Sequence, residues 1–483
     1  MYLRTRRAIL GTAAAFALPA LMPGAARAAF KAGPGEFRAI DGSTSDVVYG
    51  EFQVPEKRGD PASRTLTLRY ARFPATTPNP GPPLVYLAGG PGGPGTGTAM
   101  GPRFPIFQAL RQVGDVIAFD QRGTGYSNQI PRIRPVQAPE LSLTRDGMTD
   151  WYRAELVRCF GLWRDQGIAM EAYNTVESAH DLDDLRRHLG ADRIDLWGIS
   201  YGTHLAQAAL KYHGDRIGRV ALASLEGLDQ TVKLPARVDG YLERVAELIR
   251  GESAARAACP DLVGLMRRVH ARLDAAPSRV SVVLDRDAPP TEVEVGAFPL
   301  QLMAGGLVKN PSSLVRLPRL YAQIDRADAA AAGRMIALAV GRMGGVGGMS
   351  DAMDMASGIS AARLARVETQ AKTAVLGDAL NFPMPHVRGA VAGIELDDSF
   401  RAPFRTRVPA LLISGSLDGR TPLAEQREVG KQFADKRWLT VENAGHDVLE
   451  TTPEVAKRLV AFFRGERLSD ETIALPPVSF APG

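Results

Sequence analysis

The chain has 483 residues, which allows about two to four domains of ordinary size or one large core with an insertion. Hydrophobic residues make up 45% of it and charged residues 23%, and this composition excludes a disordered or collagen-like chain. The net charge of +5 comes mostly from four arginines in the first 28 residues, so that residues 29–483 carry only +1. A nucleic-acid-binding protein is therefore not predicted.

The first residues have the pattern of an export signal. A twin-arginine sequence at residues 5–10 precedes an apolar run at residues 11–22, and Ala26 and Ala28 offer small side chains to a signal peptidase. The apolar run is shorter than the roughly 20 residues that a bilayer span needs, and no later segment reaches that length. We therefore expect residues 1–28 to be a twin-arginine signal peptide and the mature chain to be periplasmic or secreted, without a membrane span.

The two cysteines, Cys159 and Cys259, lie far apart and belong to no CxxC or Cys/His pattern. An exported protein meets an oxidising compartment, so a disulfide between them is one expectation. Two buried free thiols are the other, and the sequence leaves both open. No metal and no organic cofactor are predicted.

Short apolar runs that end in loops alternate with helical patterns along the chain. They lie at residues 84–87, 116–119, 194–197, 220–223, 410–413 and 438–441. Continuous runs of this length are typical of parallel strands that are buried on both faces. Two earlier runs, at residues 47–54 and 65–73, are also strand-like. The order of strands and helices predicts an α/β fold with a mostly parallel, doubly wound sheet.

The strand pattern stops between residues 230 and 400. This segment is mostly helical in pattern and holds one β-rich patch at residues 280–295. We interpret residues 230–400 as a cap domain inserted into a core whose two parts are residues 29–229 and 401–483. Ligands of such sheets lie at the carboxyl ends of the strands, which is where the polar motifs described next occur.

The predicted cap contains a stretch rich in methionine and glycine. The methionines are Met335, Met343, Met349, Met353 and Met355. Methionine surfaces adapt to varied apolar ligands, and glycines permit a lid to move. Ordinary helix packing beside a loose connection explains the same residues, so both interpretations stay open.

Gly198-Ile199-Ser200-Tyr201-Gly202 matches the G-x-S-x-G pattern of a nucleophilic serine. The pattern alone is weak, but a predicted strand precedes it and a predicted helix follows it. A sharp turn between the two would expose the hydroxyl of Ser200, while Gly198 and Gly202 leave room for the neighbouring strand and helix.

A nucleophilic serine needs a base and an orienting acid, which in this setting follow it in the order acid, then histidine. Asp418 follows the predicted strand at residues 410–413, and His446 follows the next strand. The other histidines lie near the helix after Ser200 or in the predicted cap, and His204 is the strongest rival among them. Glu442 is the fallback acid.

A glycine-rich loop at residues 88–95 follows the first buried strand, where backbone N–H groups can stabilise an oxyanion. The second donor would be the N–H of Tyr201, directly after the nucleophile. A phosphate-binding loop is the alternative, but Pro91 and Pro94 remove donors and no lysine follows.

Together these motifs resemble the α/β-hydrolase family of proline iminopeptidases and tripeptidyl aminopeptidases. The resemblance covers residues 83–227 and 405–450. The segments that carry it are Gly89-Gly90-Pro91-Gly92, the turn at residues 120–127, the serine motif, and Gly445-His446.

The resemblance implies that Ser200 is the nucleophile, His446 the base and Asp418 the acid. It also implies an oxyanion hole formed by the backbone N–H groups of Gly90 and Tyr201. The turn at residues 120–127 is a family hallmark, which we interpret as support for the active-site loops rather than as a catalytic element.

Exopeptidases of this family bind the free α-ammonium of the substrate with carboxylates of the cap. Glu226, after the strand at residues 220–223, and Asp354, in the methionine-rich stretch, are the candidates here. The family commonly has Asp near the position of Glu226, so this chain departs from the pattern. Acids in such positions are more often structural or solvated than ligand-binding, and that interpretation stays open for both.

The leading interpretation is an exported serine aminopeptidase that releases N-terminal residues of peptides through an acyl-enzyme. A carboxylesterase or lactonase acting on small apolar esters would use the same triad. A non-catalytic binding module has no need of an intact Ser200, Asp418 and His446. The expected partner is a peptide or small ester substrate, and the sequence does not indicate the oligomeric state.

Overall fold

The computed structural model describes residues 30–135, 142–283, 290–341 and 346–481. The predicted signal peptide at residues 1–28 and Met343 lie outside these ranges. Within them, no helix combines the length and the apolar character that crossing a membrane requires.

The strands of the described ranges form one large sheet and one small hairpin. The strands are β1 (Gly33–Arg38), β2 (Thr44–Pro55), β3 (Thr65–Phe73), β4 (Leu84–Leu87), β5 (Val116–Asp120), β6 (Ile194–Ile199), β7 (Ile217–Ala223), β8 (Ser278–Val282), β9 (Thr291–Val295), β10 (Ala410–Gly415), β11 (Lys436–Glu442) and β12 (Glu471–Ala474). The hairpin consists of β8 and β9, which pair antiparallel.

The large sheet has the strand order β1-β2-β3-β5-β4-β6-β7-β10-β11-β12. The pairs from β1 to β5 are antiparallel, and those from β5 to β12 are parallel. All six predicted apolar runs lie in the strands β4, β5, β6, β7, β10 and β11. Every residue of β4, β5, β6 and β10 is buried, as expected for strands with helices on both faces. The prediction of a mostly parallel α/β sheet is confirmed.

Helices fill the connections. They are α1 (Gly95–Met100), α2 (Phe104–Leu110), α3 (Arg145–Asp165), α4 (Thr175–His188), α5 (Tyr201–His213), α6 (Pro235–Gly251), α7 (Ser253–Ala258), α8 (Leu262–Ala275), α9 (Ala297–Leu307), α10 (Pro311–Leu314), α11 (Leu317–Asp325), α12 (Ala330–Gly341), α13 (Met349–Ser357), α14 (Ala361–Ala371), α15 (Asp398–Arg401), α16 (Leu423–Val429) and α17 (Pro453–Phe463). The helix predicted after Ser200 is α5.

The chain leaves the large sheet after β7 and returns to it at β10, and we call the intervening residues 224–409 the insert. The part of the insert from α6 to α12, with the hairpin, encloses a hydrophobic core of its own. Helices α13, α14 and α15 pack instead into the core that lies against the large sheet, whereas Val375, Leu376 and Leu380 between α14 and α15 belong to the core of the insert. The exact cap boundaries at residues 230 and 400 remain a prediction.

The methionines of α13 belong to that shared core. Met349, Met353 and Met355 are each at most 4% exposed and pack among residues of the sheet and its helices. Helix packing therefore explains these three side chains, and they do not form an adaptable ligand surface.

The expectation of a disulfide between Cys159 and Cys259 is wrong. Both cysteines are free and buried. Cys159 packs in the core against the large sheet, whereas Cys259 packs in the separate core of the insert. Because each thiol is enclosed by a different core, the alternative of two buried free thiols is correct.

Candidate active site

Ser200 occupies the tight turn between β6 and α5. Its backbone has φ 56° and ψ −128°, a conformation that non-glycine residues rarely adopt, and its side chain is partly exposed. A Cβ at Gly198 would lie 2.7 Å from the carbonyl oxygen of Leu87, and one at Gly202 would collide with the same oxygen. The two glycines therefore let β4 and α5 approach the turn closely enough to hold Ser200 in this conformation.

Asp418 and His446 form a hydrogen-bonded pair. Nδ1 of His446 lies 3.1 Å from Oδ1 and 3.0 Å from Oδ2 of Asp418, and both side chains are buried. An ionised carboxylate only accepts hydrogen bonds, so the ring proton is on Nδ1. The lone pair of Nε2 is then available to accept a proton from a nucleophile.

The loop after β10 surrounds the Asp418 carboxylate with donors. Oδ1 accepts hydrogen bonds from the N–H groups of Arg420 at 2.9 Å and Thr421 at 2.8 Å. Oδ2 accepts one from the Thr421 hydroxyl at 2.6 Å. Burial favours the neutral acid, but His446 and these donors outweigh it and hold the pKa of Asp418 below its ordinary value. Asp418 therefore stays ionised beside the imidazole.

Neighbouring strands bring the three predicted residues to one edge of the sheet. Ser200 follows β6, Asp418 follows β10 and His446 follows β11, while β7 lies between β6 and β10. The residue after β7, Ser224, donates its hydroxyl to the His446 carbonyl at 2.7 Å. Within the described ranges the Ser200 hydroxyl makes no hydrogen bond to the His446 ring, so the pair that is joined directly is Asp418 and His446.

His204, the strongest rival to His446, has both ring nitrogens engaged. Nδ1 lies 3.0 Å from the Gly227 carbonyl oxygen, and Nε2 lies 3.2 Å from the Ser357 hydroxyl. The side chain is completely buried, and burial lowers the pKa of His204. His204 is therefore a neutral core residue that joins α5 to α13.

The glycine-rich loop lies against the serine turn. A Cβ at Gly89 would lie 3.2 Å from the Cβ of Ser200 and 3.0 Å from the carbonyl oxygen of Ile199. Among the described residues, the N–H groups of Gly90 and Tyr201 donate to no protein oxygen. This placement suits the predicted oxyanion hole.

The turn at residues 120–127 holds the loops in place. Asp120 accepts hydrogen bonds from the Thr96 N–H at 2.9 Å and hydroxyl at 2.7 Å, which ties it to the end of the glycine-rich loop. Arg122 is completely buried and donates to Asp181 at 2.7 Å. These contacts are structural, which agrees with the interpretation of this turn as a support.

Two parts of the chain match known family models. Residues 82–276 match the family model described as alpha/beta hydrolase fold, and residues 396–472 match the one described as TAP-like protein. The chain has the α/β-hydrolase fold. The two matches flank most of the insert, so the resemblance predicted from the motifs is confirmed for the parts that carry β4 to β7, β10 and β11.

Curated relatives of this chain are similar at modest identity. A tripeptidyl aminopeptidase of Streptomyces lividans is 29% identical over 189 residues, covering 34% of this chain and 34% of the relative. The serine protease Hip1 of Mycobacterium tuberculosis is 28% identical over 186 residues, covering 36% and 35%. The matched region thus spans about a third of the length of these relatives. Among solved structures, an epoxide hydrolase from an endophytic Streptomyces aligns with a TM-score of 0.42 at 15% identity, covering 89% of this chain and 98% of that one.

Glu226, the first candidate for binding an ammonium, is already paired. Lys233 donates to its Oε1 at 2.5 Å, and both side chains are buried. The same Nζ lies 2.9 Å from the Gln230 carbonyl oxygen and 3.0 Å from that of Thr231. Burial favours the neutral acid, but Lys233 outweighs it and holds the pKa of Glu226 below its ordinary value. An internal cation therefore occupies the position that a substrate ammonium would take at Glu226.

Asp354, the second candidate, lies on α13 with its side chain partly exposed and without a hydrogen bond among the described residues. Burial, together with repulsion from Asp351 and Glu226, raises the pKa of Asp354 to about 7. The sulfur of the preceding residue, Met353, accepts a hydrogen bond of 3.0 Å from the Tyr201 hydroxyl. Asp354 is thus an unpaired acid on the helix that touches the residue after the nucleophile.

The insert also reaches the glycine-rich loop. A Cβ at Gly92 would lie 3.2 Å from the Cβ of Ser350, at the start of α13. The helix that carries Asp354 therefore lies against both the glycine-rich loop and the serine turn.

The sequence indicates only some of the residues that hold the site together. Thr421 could be found from it, because Thr421 follows the acid by three positions in Asp418-Gly419-Arg420-Thr421, a spacing that lets its hydroxyl donate to the carboxylate. Lys233 lies in a segment without any motif, and its pairing with Glu226 depends on a fold of the chain between them. Within the described ranges, no three His, Cys, Asp or Glu side chains are grouped as a metal site would require.

Proposed function

We propose that this protein is a serine hydrolase in which Ser200 is the nucleophile, His446 the general base and Asp418 the orienting acid. The observation that carries the proposal is the buried Asp418–His446 pair, which leaves Nε2 as an acceptor at the sheet edge where Ser200 stands in its strained turn. The curated relatives named above are peptidases, which supports a peptide as the substrate.

The reaction that these groups can carry out has two halves. Ser200 Oγ bonds to the acyl carbon as its proton passes to His446 Nε2, and the N–H groups of Gly90 and Tyr201 stabilise the oxyanion. His446 then gives the proton to the departing amine, which leaves an acyl-enzyme. In the second half, a water molecule attacks the acyl carbon as its proton passes to His446 Nε2. The proton then returns to Ser200 Oγ, which regenerates the serine and releases the carboxylic acid.

Within this chemistry we infer an aminopeptidase. Of the two candidate acids, Asp354 pairs with no internal cation among the described residues, whereas Glu226 is held by Lys233. An α-ammonium bound at Asp354 would fix the cleaved bond a short distance from the N-terminus of the peptide. Asp354 is therefore our candidate for the group that reads the free N-terminus.

An esterase or lactonase is the less supported alternative. A methionine surface that adapts to apolar ligands would favour it, but Met349, Met353 and Met355 are buried in the core. No other contact in the described ranges favours a small apolar ester over a peptide.

The deciding experiment compares kcat/KM on an aminoacyl arylamide that has a free α-amine with kcat/KM on its N-acetylated twin. We expect a preference for the free amine of at least tenfold at pH 7.5, and complete loss of activity in Ser200→Ala. Ser178→Ala, which changes another buried serine, serves as the matched control and should keep full activity. Residual turnover in Ser200→Ala would contradict the serine hydrolase, whereas equal use of both substrates would contradict only the aminopeptidase.

We also propose that the chain is exported through the twin-arginine route, on the basis of the pattern in residues 1–28. Replacing Arg6 and Arg7 by lysine should retain the protein in the cytoplasm of a bacterial host that has this route. Cell fractionation and N-terminal sequencing of the mature protein test this. Export of the double variant at the normal level would contradict it.

A further inference from the structure

Three consecutive residues of the insert, Val308, Lys309 and Asn310, contact both loops that carry the Asp418–His446 pair. We call this segment the strut. The Val308 carbonyl accepts a hydrogen bond of 3.1 Å from the Gly419 N–H, next to Asp418. The Lys309 carbonyl accepts one of 2.9 Å from the N–H of His446 itself. The insert is thus bonded directly to the backbone of the proposed base.

Asn310 adds a reciprocal pair with the residue after the histidine. Its Nδ2 donates to Oδ2 of Asp447 at 2.7 Å, and its Oδ1 accepts the Asp447 N–H at 3.1 Å. Lys309 Nζ lies 3.2 Å from the same Oδ2. Burial opposes ionisation, but Lys309 and the other neighbouring donors and cations outweigh it and lower the pKa of Asp447 to about 2. The pair is therefore made by an ionised carboxylate, which strengthens the hydrogen bond from the amide.

Two features indicate that this contact is specific. Asn310 stands at the N-cap of α10, where an asparagine side chain ordinarily accepts from its own helix, yet here it makes no such bond and is directed at Asp447. Gly445 is packed so closely that a Cβ there would lie 2.5 Å from Asn310 Oδ1 and 2.7 Å from the Lys309 carbonyl oxygen. The loop before His446 is thus shaped around the strut.

We propose that Asn310 is a positioning residue for His446, through which the insert sets the orientation of the imidazole toward Ser200. The ring is fixed by Asp418, and the backbone of His446 is fixed by Lys309 on its N–H and by Ser224 on its carbonyl. Removing the Asn310–Asp447 pair takes away the two amide hydrogen bonds that hold this loop and leaves the contacts of Lys309 with His446 and Asp447. The inference rests on the proposed serine hydrolase and adds to it a role for the insert in catalysis.

The test measures kcat and KM of Asn310→Ala on p-nitrophenyl acetate, a small ester that does not need an ammonium site. A displacement of about 1 Å in a reacting group can cost about 100-fold in rate, so we expect kcat to fall by about 10- to 100-fold while KM changes less than threefold. Asn174→Ala is the matched control, because Asn174 caps α4 by accepting the Glu177 N–H at 2.9 Å and touches neither catalytic loop. It should lose stability without losing kcat.

A swapped pair separates positioning from folding. Asn310→Asp loses the amide donor and places a carboxylate beside Asp447, so kcat should fall. Adding Asp447→Asn restores one amide and one carboxylate, and kcat should recover at least tenfold over Asn310→Asp. This recovery is a readout that a merely structural role would not produce, and it is available even if Asn310→Ala does not fold.

The outcomes distinguish the two proposals. Unchanged kcat in Asn310→Ala, an equal loss in Asn174→Ala, or no recovery in the swapped pair would each overturn the positioning role while Ser200→Ala stays inactive. Activity retained in Ser200→Ala would instead overturn the serine hydrolase on which the inference rests.

Discussion

The hydroxyl of Thr421 donates a hydrogen bond of 2.6 Å to Oδ2 of Asp418 and lies 3.3 Å from Nδ1 of His446. One side chain therefore touches both members of the proposed acid–base pair. Gln426 reinforces this position, since its Nε2 donates to the Thr421 carbonyl at 2.7 Å. The acid of this site is held by its own loop as well as by the histidine.

We predict that Thr421→Val lowers kcat/KM by about tenfold, because hydrogen bonds to charged groups contribute about 1.5–3 kcal/mol and the carboxylate loses one. Thr421→Ser keeps the hydroxyl and should retain most of the activity. Steady-state kinetics on the free-amine arylamide measures both variants. Full activity in Thr421→Val would show that the hydroxyl does not matter to the pair.

If Asp354 binds the α-ammonium, the preference for the free-amine substrate over its N-acetylated twin should depend on pH. The pKa of Asp354 is raised to about 7, so it is neutral below that pH and attracts an ammonium only above it. The ratio of kcat/KM for the free-amine substrate to that for its N-acetyl twin should therefore rise as the pH increases from 6 to 7.5. It should level off or fall once the substrate amine loses its own proton, near a pKa of about 7.7–8.0.

Two variants on α13 test the assignment of that transition. Asp354→Asn removes the charge, so the ratio should become small and independent of pH. Asp351→Asn removes a neighbour whose charge helps to raise the pKa of Asp354, so the transition should move to lower pH and persist. A pH-dependent ratio that survives in Asp354→Asn would assign the preference to another group.

The features of this molecule that could be predicted from the sequence are those that neighbouring residues determine. A strand buried on both faces is a continuous apolar run, which is why β4, β5, β6, β7, β10 and β11 were all found. The edge strand β12 was missed, because its residues are alternately exposed and have no such run. The residues now paired as Asp418 and His446 were found because their order along the chain and their places after strands are local features.

The contacts that tune the site have no local cause. Asn310 and Asp447 are 137 positions apart, and nothing near either residue indicates that they meet. Lys233 neutralises Glu226 only because the chain turns back after β7, a turn that no motif in the sequence indicates. The methionine-rich stretch was open to two interpretations because composition does not tell which face of α13 is covered.

The buried pair of Lys233 and Glu226 predicts a large effect on stability. Lys233→Met leaves an unpaired buried carboxylate, and the free energy of unfolding should fall by about 3–5 kcal/mol. The double variant with Glu226→Gln removes both charges and should recover most of the loss. Lys57→Met is the control, because the Lys57–Glu171 pair is exposed and such pairs contribute about 0–1 kcal/mol. Urea denaturation measures all of them, and equal losses in Lys233→Met and Lys57→Met would contradict the prediction.

Because both cysteines are buried free thiols, we predict that reductants do not change the stability of the protein. Cys159 and Cys259 are 1% and 3% exposed, and burial raises the pKa of both thiols. Neither should react with a thiol reagent such as DTNB in the native protein, and two thiols should react after denaturation without a reductant. Dithiothreitol should leave the Tm unchanged. Fewer than two reactive thiols in the denatured, non-reduced protein would mean that a disulfide forms after all.

The buried Asp195 should make the free energy of unfolding depend on pH, and this effect does not involve catalysis. Asp195 lies on β6, is 2% exposed and accepts the Arg219 N–H at 2.7 Å, and burial raises its pKa from 3.8 to about 7. Between these two values the folded protein holds a proton that the unfolded chain has released, so this group makes stability fall as the pH rises from about 4 to about 7. At about 1.4 kcal/mol per pKa unit, the cost at pH 8 is at most about 4 kcal/mol.

Asp195→Asn keeps an acceptor for Arg219 and removes the ionisation. We expect its free energy of unfolding to exceed that of the unmodified protein by about 1.5 kcal/mol at pH 5 and by up to about 4 kcal/mol at pH 8. Asp192→Asn, at an exposed position nearby, should change neither value. Urea denaturation at the two pH values measures this difference. Parallel curves for Asp195→Asn and the unmodified protein would show that Asp195 is ionised in the folded state, with a cation or water compensating for its burial.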